Sequence, residues 1–468
     1  MPILDHLPSD FVVRIQQQLK ENASSFFDAL QQCSTTSIRL NPRKIKAQSE
    51  TLEKVPWCAN GFYLSDRINF TIDPWFQSGG YYVQEAGSMF IEHIVKHLSK
   101  ETLLTNVLDL CAAPGGKTTL LASLFDTKTL IVANEVINSR AQVLWQNTDR
   151  WGHDNVVVTN NDPADFARLH HFFDLCLIDA PCSGEGLFRR DPDSIKQWNI
   201  ENTVLCSQRQ RRILMDCWPA IKPDGLIIYS TCTFNPAENE ENLAWLKSQK
   251  DIEFIDIPIE TSWGIDKVDY NGILGYRFLF NQTKSEGFFV AVFRKKEMIK
   301  QTTKIKAKKL FQKPEKNLTT QLERISQAQS FWQFGEKIFA TDLDIQTVAY
   351  LSASLNVIRP GCMVASDFKG KLVPEHGLAL SKNLKKEAFE KIDLTEAEAY
   401  RFFKNQPLFF AQKEKGRYLL TVHSLPIGFI NHLGNRCNSS LPTDWRILRD
   451  FDLNSPTVAQ MGFTVVKS

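Results

Sequence analysis

Short apolar runs alternate with helix-like stretches between residues 103 and 296, and this alternation constrains the fold more than any other feature of the chain. Helix-like sequences such as KTTLLASLF and INSRAQVLWQNTDRW lie between the runs. Strands that are buried on both faces of a sheet read as continuous apolar runs, so the pattern predicts a doubly wound, Rossmann-like α/β sheet whose strands are mainly parallel. Ligands of such sheets bind at the carboxyl ends of the strands. The runs are residues 107–110, 130–135, 156–159, 175–180, 225–231 and 288–293.

The length of 468 residues exceeds what a single hydrophobic core usually organises, so several domains are expected. The N-terminal region is expected to be α+β, with a first helix capped at Pro8-Ser9-Asp10 and a strand at 37–42. We divide the chain into an N-terminal accessory region (1–100), a catalytic domain (101–296), a basic linker (297–318), an intermediate segment (319–385) and a C-terminal domain (386–468).

The overall charge does not indicate a nucleic-acid partner, because 55 basic and 53 acidic side chains leave a net charge of only +2. The distribution is uneven, however. Residues 294–316 contain ten lysines and arginines but only two acidic residues, Glu297 and Glu315. Such a segment either contacts nucleic acid or is a solvated linker, and the sequence leaves both open.

The cysteine pattern bears on metal binding and on the cellular compartment. None of the ten cysteines forms a C-x-x-C pair, which argues against a zinc ribbon, and we expect no metal site. Thiols scattered through apolar stretches are typical of a reduced, cytoplasmic protein. The N-terminus has no signal-peptide pattern and no run of 18 apolar residues occurs, so we expect no membrane contact.

A glycine-containing turn follows the first apolar run. The sequence VLDLCAAPGGKTTLLA, residues 107–122, places Gly115 and Gly116 between the strand and the next helix. The glycines let the backbone approach a ligand closely, and the helix start offers free N–H groups to an anion. Two sites are compatible with such a turn, a P-loop and an adenosylmethionine site. Against the P-loop, Cys111 occupies its first glycine position and Pro114 removes an N–H from the phosphate cradle.

Three carboxylates at successive strand ends favour adenosylmethionine. Glu135 ends the second strand, where it could accept both ribose hydroxyls. Asp162 follows the third strand at a position from which a side chain could meet the adenine edge, and Asp179 ends the fourth. A single acid at a strand end is often a helix cap, but three in succession point to a cofactor site.

Two cysteine motifs close the fourth and fifth strands. DAPCSGEG contains Cys182, and STCTFNPAENE contains Cys232. Thiols at neighbouring strand ends suit methylation of cytosine carbon 5, because this carbon becomes nucleophilic only after a thiolate adds to carbon 6. Asp179 could assist by hydrogen bonding to the N3/N4 edge of the ring. The residues alone do not say which cysteine attacks. DNA cytosine methyltransferases use the cysteine of a Pro-Cys motif, which corresponds here to Cys182 in the P-C loop, DAPCSGEG.

These motifs resemble those of the Nop/Sun family of RNA cytosine-C5 methyltransferases. AAPGGKT, DAPCSGEG and STCTFNPAENE are similar to its core motifs, SIRLNP (37–42) and YVQE (82–85) to its N-terminal motifs, and SEGFFVAVFRK to its last strand. The resemblance covers about residues 30–296. It implies Cys232 as the nucleophile, Cys182 as an assistant of product release, and S-adenosylmethionine as the cofactor. The implied cofactor contacts are Cys111, Ala112, Ala113, Pro114, Gly115, Gly116, Lys117, Glu135, Asp162 and Asp179.

The C-terminal tail narrows the expected partner. Residues 372–378, 428–436 and 445–446 are similar to the PUA-like extension of those family members that modify 16S ribosomal RNA. The resemblance therefore implies a PUA-like domain and 16S rRNA in the 30S subunit as partner, with the enzyme acting as a monomer. After Arg436 the basic residues of the family pattern are replaced by CNSS, so the tail either contacts RNA or only packs. Arginines expected to hold RNA near the P-C loop are Arg189, Arg190, Arg209, Arg211 and Arg212.

Two other functions remain compatible with the sequence. One is a P-loop ATPase, which requires that Cys111 be tolerated in a phosphate loop. The other is an inactive RNA-binding assembly factor, against which the two intact cysteines argue.

Overall fold

The structure, a computed structural model, describes residues 3–297, 312–453 and 456–465. Most of the lysine-rich segment that we predict as a basic linker, residues 298–311, lies outside the described residues, as do the last residues of the strand-like end FTVVKS. Within the described ranges, no helix combines the length and the apolar character needed to cross a membrane.

The N-terminal region consists of helices and a small antiparallel sheet. The first helix begins at Ser9 after Pro8, and no side chain caps it, so the predicted side-chain cap is wrong. Packing holds this helix instead, because Phe11 and Ile15 are fully buried. The sheet has the order β3-β1-β4. The elements are α1 (Ser9–Leu19), α2 (Ala23–Leu30), β1 (Thr36–Leu40), β2 (Ala47–Ser49), β3 (Gly61–Leu64), α3 (Pro74–Gln77), β4 (Tyr81–Val83) and α4 (Phe90–Leu98).

The central region is the predicted alternation of strands and helices. Its strands are buried over most of their length, which explains the continuous apolar runs. The strands are β5 (Asn106–Asp109), β6 (Leu130–Asn134), β7 (Val156–Thr159), β8 (Phe173–Asp179), β9 (Ile221–Thr231), β10 (Ile252–Phe254), β11 (Asp266–Tyr270), β12 (Ile273–Phe278) and β13 (Phe288–Lys295). The helices are α5 (Gly116–Leu124), α6 (Asn138–Trp151), α7 (Asp193–Gln197), α8 (Ile200–Cys217) and α9 (Glu240–Gln249).

The topology of the sheet determines where a ligand can bind. Strands β9, β8, β5, β6 and β7 are neighbours in this order and run parallel. The chain passes from β5 outward through β6 to β7 and then returns to β8 on the other side of β5. The carboxyl ends of β5 and β8 therefore flank the topological switch point, where open α/β sheets bind their ligands.

The C-terminal half adds two four-stranded sheets, β14-β15-β17-β18 and β19-β20-β21-β22. One of its strands, β16, leaves these sheets and extends the central sheet beside β7, and β23 pairs with β2 of the N-terminal region. The elements are α10 (Lys316–Ile325), β14 (Ser330–Phe334), β15 (Lys337–Thr341), α11 (Ile345–Ser354), β16 (Val357–Arg359), β17 (Cys362–Phe368), β18 (Lys371–Pro374), α12 (His376–Leu380), β19 (Glu390–Asp393), α13 (Glu396–Phe403), β20 (Gly416–Val422), β21 (Leu425–His432), β22 (Cys437–Ser439) and β23 (Phe463–Val465).

Candidate active site

The loop between β5 and α5 is held in place by helix α6. The Arg140 guanidinium donates to the carbonyl of Ala113 over 2.9 Å, and the Asn147 amide donates to the carbonyl of Pro114 over 2.8 Å. Gly115 has a φ of 113°, in the left-handed region that favours glycine. The turn is therefore fixed through its carbonyl groups, and the N–H of Ala112 donates to the carbonyl of Asn134 over 2.8 Å.

A cavity of about 330 Å³ opens beside this loop, at the switch point of the sheet. Most of the residues that the sequence singles out line it, including both the cofactor loop and Cys232. The N-terminal strand β4 forms the facing wall. The lining residues are Tyr82, Val83, Gln84, Glu85, Ser88, Asp109, Cys111, Ala112, Ala113, Pro114, Gly116, Lys117, Asp179, Leu187, Arg190, Cys232, Glu286, Gly287 and Phe288.

Asp109, at the end of β5, presents an unsatisfied carboxylate to the site. Its Oδ2 atom accepts a hydrogen bond of 2.6 Å from the Thr118 hydroxyl, whereas the buried Oδ1 atom has no partner among the described residues. Burial raises the pKa of Asp109 to about 7, although the Thr118 hydroxyl opposes the shift. A buried carboxylate that lacks a partner would be stabilised by a positively charged ligand group.

Lys117 and Asp179 form an ion pair across the cavity floor. The Lys117 ammonium lies 2.7 Å from Oδ2 of Asp179, and the Ser230 hydroxyl donates to Oδ1 over 2.8 Å. Burial lowers the pKa of Lys117, but the charge and hydrogen bond of Asp179, together with the charge of Asp109, outweigh it, so the pKa lies above its ordinary value. Lys117 therefore stays charged, and the Asp179 carboxylate is held at the strand end.

The residues present fit S-adenosylmethionine, whose amino acid end carries both charges and whose sulfur is cationic. The open Oδ1 atom of Asp109 can receive a cation, and Lys117 can meet a carboxylate. The loop at 111–116 gives a ligand close access to backbone N–H groups at the start of a helix.

The two motif cysteines are in contact at the edge of the cavity. Their Sγ atoms lie 3.1 Å apart, and the Cys232 N–H lies 3.3 Å from the sulfur of Cys182. Cys232 lines the cavity, and Cys182 sits beside it. The pKa of Cys182 is raised well above its ordinary value, first by its hydrogen bond with Cys232 and second by burial. Cys182 therefore keeps its proton and can donate it in a hydrogen bond to the sulfur of Cys232.

A buried carboxylate ties the two cysteine loops together. Glu238 follows Cys232 in the chain and accepts hydrogen bonds from the N–H and hydroxyl of Ser183, the residue after Cys182. The Gln210 amide donates both to Glu238 and to the carbonyl of Pro181. Burial raises the pKa of Glu238 to about 7, against the opposing hydrogen bonds from Ser183. This network sets the separation of the two sulfurs.

Glu135 and Asp162 lie outside the cavity lining. The Glu135 carboxylate accepts a 2.9 Å hydrogen bond from the N–H of Ile137 and lies 3.4 Å from Arg140. Asp162 caps a short helical turn through the N–H of Ala164 and pairs with Arg212 at 3.1 Å. Cofactor contacts by these two residues stay predictions.

Asp109, Glu238 and Arg39 are site residues that the sequence reasoning leaves without a role. Asp109 lies at the end of β5, within the apolar run at 107–110. The argument that singles out Glu135, an acid at the end of a strand, therefore applies to Asp109 as well. Arg39 is fully buried and reaches the cofactor loop from β1, donating to the Thr119 hydroxyl over 2.7 Å and to the Gly116 carbonyl over 3.3 Å. Arg39 lies in the motif SIRLNP, but no local sequence pattern indicates that its side chain contacts Gly116 and Thr119.

The arginines predicted to hold RNA differ in their availability. Arg189 is buried in a 2.9 Å ion pair with Glu286, so it is not free to meet a phosphate, and its prediction as an RNA contact is wrong. Arg212 pairs with Asp162, and Arg211 donates to Asn242. Arg190 and Arg209 are exposed, and only Arg190 reaches the cavity.

A Rossmann-like sheet whose switch point carries this loop, these charges and a thiol defines a methyltransferase that uses S-adenosylmethionine. Three family models match the chain: 16S rRNA methyltransferase RsmB/F over residues 97–294, the N-terminal domain of 16S rRNA methyltransferase RsmF over 7–86, and the methyltransferase RsmF PUA domain over 389–447. The chain belongs to the ribosomal RNA small subunit methyltransferase F family.

Individual relatives agree with this assignment. The ribosomal RNA small subunit methyltransferase F of Shigella boydii serotype 4 (strain Sb227) is 30% identical over 480 residues, which cover 95% of this chain and 97% of the relative. That of Enterobacter sp. (strain 638) is 29% identical over 95% of this chain and 96% of the relative. The crystal structure of a methyltransferase homologue from Pyrococcus horikoshii is 28% identical and has a TM-score of 0.53, covering 63% of this chain and 98% of that chain. The predicted fold class, family, enzyme class and cofactor are confirmed, and the P-loop alternative is wrong.

Proposed function

We propose that this enzyme transfers a methyl group from S-adenosylmethionine to carbon 5 of a cytosine in 16S ribosomal RNA, through a covalent bond between Cys232 and carbon 6. The names of the relatives support 16S ribosomal RNA as the substrate, because the matches to these relatives cover nearly the whole chain. The observation that carries the chemistry is the position of Cys232 on the wall of the cofactor cavity, with a second sulfur 3.1 Å away.

The first step is attack by Cys232. Its thiolate forms a bond to carbon 6 of the cytosine. The C5–C6 electron pair moves between C4 and C5 and the C4–N3 pair moves onto N3, which gives an anionic enamine that is nucleophilic at carbon 5. Asp179 accepts a hydrogen bond from the N4 amino group, and its ion pair with Lys117 keeps it in place to do so. The Cys182 thiol keeps its own proton and can donate it in a hydrogen bond to the attacking sulfur of Cys232.

The remaining steps form the new bond and release the product. S-adenosylmethionine supplies an electrophilic methyl group, which the enamine takes up at carbon 5. Loss of the carbon 5 proton to water then restores the C5–C6 double bond, and the S–C6 bond breaks with its electron pair returning to the Cys232 sulfur. Cys182 assists this step, because its thiol can donate a hydrogen bond to the departing thiolate.

The assignments of the other regions belong to the same proposal. We take residues 1–100 as an RNA-binding accessory region, 101–296 as the catalytic domain and 386–468 as a PUA-like domain. We also propose that the enzyme acts as a monomer. The 30S subunit in the cytoplasm is the proposed location of the substrate.

The proposal is tested by tritium release. Small subunits whose 16S rRNA carries tritium at cytosine carbon 5, isolated from cells lacking the gene, are incubated with enzyme and methyl donor. We expect one tritium released per methyl group transferred, and bisulfite sequencing should show one newly protected cytosine. Cys232→Ser should abolish both, while the exposed Cys33→Ser should change neither. Methyl transfer without tritium release would place the methyl elsewhere and overturn the proposal.

A further inference from the structure

A second cavity, of about 280 Å³, lies directly beside the catalytic cavity. The two share one wall, formed by residues 82–85 of strand β4 and its continuation, and both are bordered by Arg190. On its other side the second cavity is lined by Ser34, Thr35, Thr36, Arg67, Phe70 and Thr71, which belong to the N-terminal region. A polymer that places one unit in the catalytic cavity would therefore have its next unit close to this second cavity.

The charges around this cavity favour a polyanion. Arg67 and Arg190 are exposed, and neither forms an ion pair with any residue in the described parts of the chain. The one carboxylate at the shared wall, Glu85, accepts hydrogen bonds from the N–H groups of Gly87, Ser88 and Glu286. Burial raises the pKa of Glu85 while these donors lower it, and the three N–H groups partly compensate its charge.

The uncharged groups favour a nucleotide over a small anion. Phe70 is half-buried, which leaves aromatic surface open to a planar base, whereas the ring of Phe76 already has the Arg150 guanidinium over it at 5.0 Å. The hydroxyls of Thr35 and Thr36 form no hydrogen bond with the described residues and are free to meet a ribose hydroxyl. Aromatic faces interleaved with arginines and hydroxyls are the means by which proteins bind single-stranded RNA.

We propose that this second cavity binds the nucleotide next to the target cytosine in a single-stranded stretch of the RNA, with Arg67 and Arg190 on its phosphates and Phe70 against its base. The inference rests on the proposed function, because it extends the path of the RNA from the catalytic cavity. Arg67, Phe70, Thr35 and Thr36 take no part in the methyl transfer described above.

The test measures binding rather than turnover, so that it does not depend on the chemistry. Filter binding of unmodified 30S subunits is measured at several salt concentrations with Cys232→Ser protein, with and without Arg67→Ala. Loss of one phosphate contact should weaken binding about tenfold and reduce the slope of log affinity against log salt by about one. Arg324→Ala is the matched control, since Arg324 is exposed on α10 and lines neither cavity.

A second arm replaces an aromatic face. Phe70→Ala in the same background should weaken binding several-fold without changing the salt slope, because stacking carries no counterion release. S-adenosylmethionine affinity, measured without RNA, should be the same in all variants. An unchanged affinity and slope for Arg67→Ala, or an equal loss in Arg324→Ala, would overturn the inference. Failure of the proposed function would appear separately, as absence of tritium release in the wild-type enzyme.

Discussion

The sulfur atoms of Cys182 and Cys232 lie 3.1 Å apart, although the two residues are 50 positions apart in the chain. The contact is fixed from both sides. The Gly186 N–H donates to the Cys232 carbonyl over 2.9 Å, and the hydroxyls of Ser183 and Thr233 are 3.0 Å apart. The two loops therefore act as one unit, and only one of the sulfurs lines the cavity.

This asymmetry predicts different outcomes for the two cysteine substitutions. Cys182→Ala should leave the attack of Cys232 intact but slow the breaking of the S–C6 bond, because the hydrogen-bond donor to the departing thiolate is gone. A protein–RNA adduct should accumulate and survive denaturing electrophoresis. Cys232→Ser should form none. An adduct that appears in Cys232→Ser but not in Cys182→Ala would reverse the two roles.

Glu238 is expected to act as a positioning residue for the same pair. In Glu238→Gln one of the two acceptor oxygens becomes an NH₂ group, so Ser183 can no longer donate to this side chain through both its N–H and its hydroxyl, and the P-C loop is held less firmly. We expect the rate of product release to fall about tenfold or more and some adduct to persist, with S-adenosylmethionine affinity unchanged. Normal release in a folded Glu238→Gln enzyme would show that the network is not needed.

The same residue makes stability depend on pH. The pKa of Glu238 rises from 4.5 to about 7 on folding, so the folded protein holds the proton more tightly. Its contribution is fully present below pH 4.5 and is lost as pH rises through 7, a change of about 3 kcal/mol. The free energy of unfolding of the wild type and of Glu238→Gln is measured with denaturant across this pH range. It should fall less with rising pH in the variant, which has no carboxyl group at this position to titrate. Parallel curves would contradict the assignment.

How much of the fold the sequence predicts depends on burial. Strands β5 to β9 are predictable because both faces of each are covered, which leaves continuous apolar runs. Strand β11 is absent from the prediction because it is an edge strand that reads DKVDY and is largely exposed. Strand β16 has only three residues, and its pairing with β7 joins distant parts of the chain. Such non-local pairing leaves no local pattern.

For the site, strand order predicts which residues share an edge but not where each side chain points. That rule correctly brings the cofactor loop, Asp179 and Cys232 to one cavity. It cannot show that Asp162 turns to cap a helical turn and pair with an arginine. Contacts between loops, such as those of Glu238 with Ser183, depend on the packed structure and are visible only there.

Asp109 predicts how cofactor binding responds to pH. With a pKa of about 7, its carboxyl is protonated below neutrality and loses the charge that would stabilise a cationic ligand. Affinity for S-adenosylmethionine should therefore fall as pH drops below 7, by at most ~10-fold per pH unit. Asp109→Asn should bind weakly at all pH values and show a flat profile in calorimetry. The exposed Asp193→Asn is the control, and a pH dependence that survives in Asp109→Asn would exclude this residue as its source.

A buried ion pair holds the C-terminal half against the catalytic domain. Arg359 of β16 donates through Nε to Asp149 of α6 over 2.6 Å, and its side chain is fully buried. Arg359 also donates to the carbonyl of Val156 on β7 over 2.7 Å. Arg359→Leu leaves the Asp149 carboxylate buried without its cation, which should cost about 3–5 kcal/mol of unfolding free energy in urea.

The double variant distinguishes this charge effect from lost packing. In Arg359→Leu with Asp149→Asn the uncompensated charge is absent, and the amide can keep a hydrogen bond with the Trp145 indole, so part of the stability should return. Burial already raises the pKa of Asp149 against the opposing charge of Arg359. Without the arginine that pKa should rise further, so the single variant should lose more stability at high pH than at low pH, while the double variant should not. Equal losses in both variants at every pH would mean that packing, not charge, joins the two halves.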